Sequence, residues 1–96
     1  MALRNSLLVR LKPGTTDEQV QALGQALRDL SFPGRTNFVF GRDIGLREDN
    51  MDLSFSNDFD SEETYKAWAD NADHQRVREQ YLFPIAERIE RCLIRI

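Results

Sequence analysis

Hydrophobic and polar residues alternate with a period of two in four segments of the chain. The clearest case is the third segment, where the apolar residues Met51, Leu53, Phe55 and Phe59 alternate with serine or aspartate. The four segments are Leu3–Lys12, Arg35–Ile44, Met51–Phe59 and Arg91–Ile96. Because successive side chains of a strand point to opposite faces of a sheet, this pattern predicts four strands, each with one face covered.

The segment after Pro13-Gly14 has helical spacing instead. Apolar residues recur there three or four positions apart, at Val20, Leu23, Leu27 and Leu30. Thr15 and Glu18 have the spacing of a capping box, in which each side chain bonds the other's backbone amide. The pattern therefore predicts an amphipathic helix that is capped by Thr15 and ends at Pro33-Gly34.

A second helical region follows the third strand and is predicted in two pieces. Asp60-Ser61 provides an N-cap for a short helix, which Asn71–Asp73 interrupts. The next piece has apolar residues at an i,i+4 spacing, at Val77, Tyr81, Ile85 and Ile89. Pro84 lacks an amide hydrogen and clashes with the preceding turn, so we predict a kink or break near Leu82-Phe83.

The order of elements is strand, helix, strand, strand, helix, strand. This is the split βαβ, or ferredoxin-like, pattern of an α+β fold: a four-stranded antiparallel sheet with helices on one face. A chain of 96 residues suffices for one domain, which we place at residues 1–96. Leu8, Val39 and Leu93 have the parity opposite to the helix-facing residues. A partly apolar second face predicts a partner, most simply a second copy of the chain.

The composition of the chain excludes several kinds of partner and favours one cellular location. The net charge of −3 and a pI near 5.1 argue against a non-specific nucleic-acid binder. The single cysteine, Cys92, excludes an intrachain disulfide and a cysteine-rich zinc site, and it suits a reducing compartment. The apolar run Leu7–Val9 is too short for a membrane span. We therefore expect a cytoplasmic protein with no nucleic-acid or membrane partner, no cofactor and no metal.

Three stretches of the sequence resemble the stress-responsive α/β-barrel family, known as Dabb. They are Phe-Gly-Arg-Asp at Phe40–Asp43, the strand from Asp52-Leu53 that runs into Asn57–Ser61, and Trp68–His74, where an aromatic residue and an acidic turn precede a histidine. The resemblance extends over almost the whole chain. It implies a ferredoxin-like fold whose sheets meet face to face in a homodimer, forming a barrel.

The resemblance also implies two kinds of function. Family members include proteins linked to stress responses and small cyclases that act on polyketide-like substrates. In those cyclases a histidine in the first strand and another that opens the last helix work beside an aromatic hydroxyl. The second histidine matches His74, whereas Asn5 occupies the first position and Trp68 the position of the tyrosine.

His74, the only histidine, is the candidate catalytic residue. We predict that it lies in the first turn of the last helix, after Asp73 as the N-cap. The helix dipole there lowers the pKa of an imidazole, whereas the carboxylates of Asp73 and Asp70 raise it, so the sequence leaves the direction open. A neutral imidazole can act as a general base. The alternative is a histidine that only bonds the local backbone.

A ligand pocket between sheet and helices is the second candidate feature. Asn5 is polar but shares the parity of the helix-facing apolar residues, and Tyr65 and Trp68 lie on one helical stripe. We predict a pocket lined by Asn5, Leu7, Phe55, Tyr65, Trp68, Val77 and Tyr81. The alternative is that the aromatic residues form ordinary core and that Asn5 is satisfied at the strand end.

Three functions are consistent with these patterns. The first is a homodimeric barrel that binds a small hydrophobic or aromatic metabolite. The second is a cyclase or lyase-like enzyme that acts on a polyketide-like or aromatic substrate with His74 as general base. The third is a purely structural stress protein. The sequence does not decide whether the protein is an enzyme.

Overall fold

Four strands and three helices follow one another in the order that the sequence predicts. A computed structural model describes all 96 residues. The elements are β1 (Leu3–Leu11), α1 (Asp17–Asp29), β2 (Arg35–Arg42), β3 (Leu53–Phe59), α2 (Glu62–Asp70), α3 (Ala72–Val77), a π-helical turn (Arg78–Leu82) and β4 (Ala86–Arg95). None of the helices is long and apolar enough to cross a membrane.

The strands form one antiparallel sheet in the order β2-β3-β1-β4. The two central strands place Leu7 opposite Phe55 and Val9 opposite Leu53, and all four side chains are buried beneath the helices. The predicted ferredoxin-like α+β fold is therefore confirmed. The core of the molecule lies between this face of the sheet and the helices.

Helix α1 begins one residue later than the sequence predicts. Thr16, not Thr15, is the N-cap: its hydroxyl accepts the Gln19 N–H at 3.2 Å, and the Gln19 side chain accepts the Thr16 N–H at 2.8 Å. Thr15 instead donates to the Lys12 carbonyl at 2.7 Å. Glutamine completes a capping box as well as glutamate does, so two registers were available in the sequence.

Close packing of α1 on β2 depends on a glycine. A Cβ atom at Gly24 would lie 2.9 Å from ring atoms of Phe40. The Phe40 ring in turn stacks on Phe55 at 5.8 Å between centroids. The helix therefore approaches the edge of the sheet closely enough to cover the central strands.

The predicted break at Pro84 is real, but the segment beyond it is strand rather than helix. The helical region ends at Leu82 and β4 begins at Ala86, so the prediction of helix at Ile85 and Ile89 is wrong. Ile85 is buried in the connecting turn, and Ile89 pairs with Val9. A spacing of four residues satisfies a strand's period of two as well as a helix, and pairing with β1 decides between them.

The face of the sheet away from the helices, which we call the open face, carries exposed apolar side chains. Leu8 and Val39 lie there as predicted. Leu93 does not, because it pairs with the helix-facing Asn5, whereas its neighbour Ile94 pairs with Arg4 on the open face. The sequence prediction for Leu93 is therefore wrong, and Ile94 takes its place.

The open face also holds one buried carboxylate. Asp58 accepts two hydrogen bonds from the Arg4 guanidinium, at 2.7 and 2.9 Å, and one from the Asn37 side-chain amide at 2.9 Å. The Arg4 hydrogen bonds hold the pKa of Asp58 below its usual range. The buried charge of Asp58 is therefore fully paired.

Candidate functional site

A cavity of about 250 Å³ lies between the helix-facing side of the sheet and the helical region that follows β3. Six of the eight predicted site residues line it: Asn5, Leu7, Phe55, Tyr65, Trp68 and His74. The other two do not. Val77 is buried in the main core, and Tyr81 packs against that core from outside. An i,i+4 apolar stripe indicates which side of a helix is buried, not whether it meets packed core or a cavity.

Several polar residues of the cavity were not predicted from the sequence. They are Asn57, Asp70, Gln75, Arg78 and Arg91. Asn57 has the same parity as Phe55, so the strand pattern contained the signal for it. Arg91 lines the cavity because it pairs with Leu7 and shares its face. The arginines carried no such signal, since a long polar side chain is typical of a solvated surface.

Local capping positions His74. The Asn71 side chain accepts the His74 backbone N–H at 3.0 Å and caps α3, a role that the sequence assigned to Asp73. Asp73 instead pairs with Arg76 at 2.6 Å. The break between α2 and α3 turns the imidazole back onto Trp68, with ring centroids 4.0 Å apart and planes inclined by 21°.

The His74 imidazole is neutral at physiological pH. Burial lowers its pKa to about 4, and the positive charges of Arg78, Arg35 and Arg91 act in the same direction, against a hydrogen bond to the Trp68 carbonyl. That bond joins Nδ1 to the carbonyl oxygen at 2.8 Å. A carbonyl only accepts, so Nδ1 carries the proton and Nε2 has a free lone pair. Burial and the arginines therefore determine the direction that the sequence left open.

Two asparagines stand side by side on the floor of the cavity, and they differ in their partners. Asn57 Oδ1 accepts from Arg35 Nε at 2.7 Å, and the Arg35 guanidinium also donates to the carbonyls of Leu27 and Leu30, both at 2.8 Å. Asn5 is only 4% exposed, and its Oδ1 has no hydrogen-bond partner. Asn57 is thus held by Arg35, which also joins the sheet to the end of α1, whereas the Oδ1 of Asn5 is buried without a partner.

Aromatic packing fixes the Trp68 wall of the cavity. Phe32 meets the indole edge-on at 5.5 Å between centroids, and Phe59 lies at 5.9 Å. The Arg35 guanidinium carbon is 4.7 Å from the indole centroid, close enough for a cation–π contact. Trp68 is 2% exposed. The site therefore combines a rigid aromatic wall, an unprotonated imidazole nitrogen and an unpaired amide oxygen.

Solved structures with the same architecture include proteins of several kinds. A dimeric ferredoxin-like protein of unknown function from Thermobifida fusca is 28% identical, with a TM-score of 0.91, and the match covers 100% of this chain and 92% of that one. A hydroxynitrile lyase from Passiflora edulis is 18% identical, with a TM-score of 0.88, over 99% of this chain and 93% of that one. A Dabb family protein with a ferredoxin-like fold from Mesorhizobium loti is 20% identical, with a TM-score of 0.77, over 97% and 94% of the two chains.

Sequence comparison gives the family directly. No curated protein matches the chain at a significant level. The model of the Stress responsive A/B Barrel Domain matches residues 3–91, which include every strand except the end of β4. The fold is the one found in a solved Dabb protein. The chain therefore belongs to the stress-responsive A/B barrel (Dabb) family.

Proposed function

We propose that this protein is a homodimeric barrel that binds a small hydrophobic or aromatic metabolite in the cavity between sheet and helices. The observation that carries the proposal is the buried, unpaired Oδ1 of Asn5 at the cavity. An unpaired buried acceptor costs a folded protein roughly 1–3 kcal/mol. A ligand hydroxyl or amine that donates to Asn5 Oδ1 removes that cost, and the Trp68 wall supplies apolar contact.

The size of the cavity supports a small ligand. Its volume of about 250 Å³ lies below the range of roughly 300–1,000 Å³ that is typical for drug-sized molecules. An apolar cavity of about 150 Å³ holds a benzene molecule. A compound with one ring and a short polar substituent therefore fits the space and chemistry available.

The sole tryptophan gives a direct test, because Trp68 forms one wall of the cavity. We expect one-ring aromatic compounds with a hydroxyl or amine donor to change Trp68 fluorescence saturably. Asn5→Leu should weaken the compounds that carry a donor and leave those without one unaffected. Binding that is indifferent to Asn5→Leu, or no saturable change with any compound, would overturn the proposal.

The homodimer rests on the open face of the sheet. Leu8 is 45% exposed, Val39 63% and Ile94 51%, and the three lie on strands that span the sheet. Several of the similar solved proteins are described as dimeric. A second copy packed on this face would remove the apolar side chains from water. The lone exposed thiol of Cys92 on the same face makes the reducing cytoplasm the expected location.

A second candidate function is a cyclase or lyase-like enzyme with His74 as general base. The observation that favours it is the neutral imidazole at the cavity, with Nδ1 held by the Trp68 carbonyl and Nε2 free to take a proton. The similar hydroxynitrile lyase shows that this fold hosts an enzyme. The deciding variant is His74→Gln: an enzyme keeps ligand binding and loses turnover, whereas a binding protein shows no turnover in either form.

A purely structural stress protein is the third possibility. In that case the dimer is the functional product and the cavity takes no ligand. The fluorescence titration separates this function from the first two, because all three share the fold and the dimer but only two of them require occupancy of the cavity.

A further inference from the structure

The arginines of this chain differ in whether they have a carboxylate partner. Seven of the eleven form ion pairs with carboxylates. Of the remaining four, Arg35 donates to Asn57 and to two backbone carbonyls, and Arg28 lies on the exposed side of α1 over the Phe38 ring. That leaves Arg78 and Arg91, which have no hydrogen-bond acceptor and line the same cavity.

Two unpaired guanidinium groups at one cavity produce a positive potential there. Burial lowers the pKa of Arg78, and the charge of Arg91 adds to the effect. Both groups also disfavour a positive charge on His74. Arg78 is half-buried without a counterion and faces the second positive charge of the exposed Arg91, so an anion in the cavity would be attracted by both groups.

The charge of the cavity favours a monoanion. Its lining contains two cations, Arg78 and Arg91, and one carboxylate, Asp70, while His74 is neutral, which leaves a formal charge of +1. A guanidinium fork matches the planar geometry of a carboxylate in a bidentate pair. A phosphate ester, which carries nearly two negative charges at pH 7, matches the charge less well.

We propose that the ligand of this cavity is a small monocarboxylate, whose carboxylate is bound by Arg78 and Arg91 and whose apolar part packs against the Trp68 wall. This inference rests on the proposed function, since it names the chemical class of the metabolite. Arg78 also stacks on Phe83, with its guanidinium carbon 5.0 Å from the ring centroid, so its side chain is held in place before a ligand arrives.

The test uses three aromatic acids of increasing length that all carry a ring hydroxyl as donor for Asn5, namely 4-hydroxyphenylacetate, 3-(4-hydroxyphenyl)propionate and 4-(4-hydroxyphenyl)butyrate, each beside its neutral amide. Trp68 fluorescence reports binding to the wild-type protein and to Arg78→Gln, Arg91→Gln and Arg76→Gln. Arg76 is the matched control: it removes the same charge from the same helical region, but it pairs with Asp73 and does not line the cavity.

In the wild-type protein we expect the best acid to bind about tenfold more tightly than its amide, the size of effect given by one charged hydrogen bond. Arg78→Gln and Arg91→Gln should each remove about that factor for the acid and leave the amide unchanged. Arg76→Gln should change neither. Added salt should weaken the acid alone, because screening acts on its charge.

Three results would overturn the inference. If the amides bind as tightly as the acids, and binding still depends on Asn5, the proposed function stands and the carboxylate assignment fails. If the acids bind more tightly but Arg78→Gln and Arg91→Gln match Arg76→Gln, the anion is bound elsewhere. If neither acids nor amides change Trp68 fluorescence saturably at millimolar concentration, the inference and the proposed function fail together.

Discussion

Two buried asparagines, paired across β1 and β3, differ in whether the side-chain oxygen has a hydrogen-bond partner. Asn5 and Asn57 are 4% and 3% exposed and are direct partners in the sheet register. Only the Asn57 side chain accepts a hydrogen bond, from Arg35, whereas the side-chain oxygen of Asn5 is unpaired. The two residues have the same side chain and nearly the same burial, so only their hydrogen-bond partners distinguish them.

Replacing each asparagine by leucine should therefore change stability in opposite directions. Asn5→Leu should raise the free energy of unfolding by about 1 kcal/mol, because it removes an unsatisfied acceptor. Asn57→Leu should lower it by about 2 kcal/mol, because it leaves the Nε of the half-buried Arg35 without its acceptor. Urea unfolding monitored by circular dichroism measures both. Equal losses in the two variants would show that Asn5 has a structural partner.

The lowered pKa of His74 predicts how the stability of the protein depends on pH. Its pKa of about 4 in the folded protein is below the ordinary value of 6.5, so between these values the unfolded chain binds more protons. The stabilisation by neutral His74 is therefore complete above pH 6.5 and is lost as the pH falls toward 4. We expect wild type to lose more stability than His74→Gln over this interval. Parallel pH profiles of the two proteins would contradict the assignment.

The position of His74 can be predicted from the sequence, but the direction of its pKa shift cannot. The sequence predicts a histidine at the start of the last helix, and it lies there. It does not predict the direction of the pKa shift, because burial, Arg78 in the π-helical turn, and Arg35 and Arg91 on β2 and β4 determine it. Burial and the charges of Arg35 and Arg91 come from parts of the chain far from His74, and only the packed tertiary structure brings them to the imidazole.

At the scale of elements, the observed structure differs from the prediction in two ways. The N-cap of α1 is shifted by one residue, and an apolar spacing that fits both a helix and a strand belongs to a strand. Thr15 and Thr16 offer alternative capping boxes, with Glu18 and Gln19 as their respective partners. Ile85 and Ile89 fit both a helix and a strand. In each case local pattern leaves two solutions, and long-range contacts select one, as when β1 pairs with β4 and draws Ile89 into the sheet.

The cap of α1 supplies the test at this scale. Thr16→Ala should lower the free energy of unfolding by about 1 kcal/mol, because the Gln19 amide loses its acceptor. Thr15→Ala should cost less, since Thr15 only donates to an exposed carbonyl. Thermal unfolding of the two variants compares them in one background. A larger loss in Thr15→Ala would restore the register that the sequence alone favours.

At the scale of the whole molecule, the open face decides the assembly. Adjacent residues on β4 point to opposite sides of the sheet: Ile94 to the open face and Leu93 to the helix-facing side. They are 51% and 44% exposed, so a charge at either position costs the isolated chain a similar amount. The pair is thus a matched probe of which face is covered by a second copy.

Sedimentation at micromolar concentration should give about twice the chain mass of 11.2 kDa for wild type and for Leu93→Asp. Ile94→Asp should shift the protein toward monomer, because it places a charge in the interface. A monomeric wild type would overturn the proposed dimer. Dissociation by Leu93→Asp but not by Ile94→Asp would place the interface on the other side of the sheet.

The most direct test of ligand binding in the cavity is a two-dimensional ¹H–¹⁵N NMR titration with an aromatic acid that also carries a hydroxyl donor, such as 4-hydroxyphenylacetate. The predicted result is that the side-chain amide of Asn5 and the indole N–H of Trp68 shift together and saturate at one ligand concentration. Resonances of open-face residues such as Ser54 and Cys92 should stay in place. Shifts confined to the open face, or none at Asn5 and Trp68, would contradict a ligand site between sheet and helices.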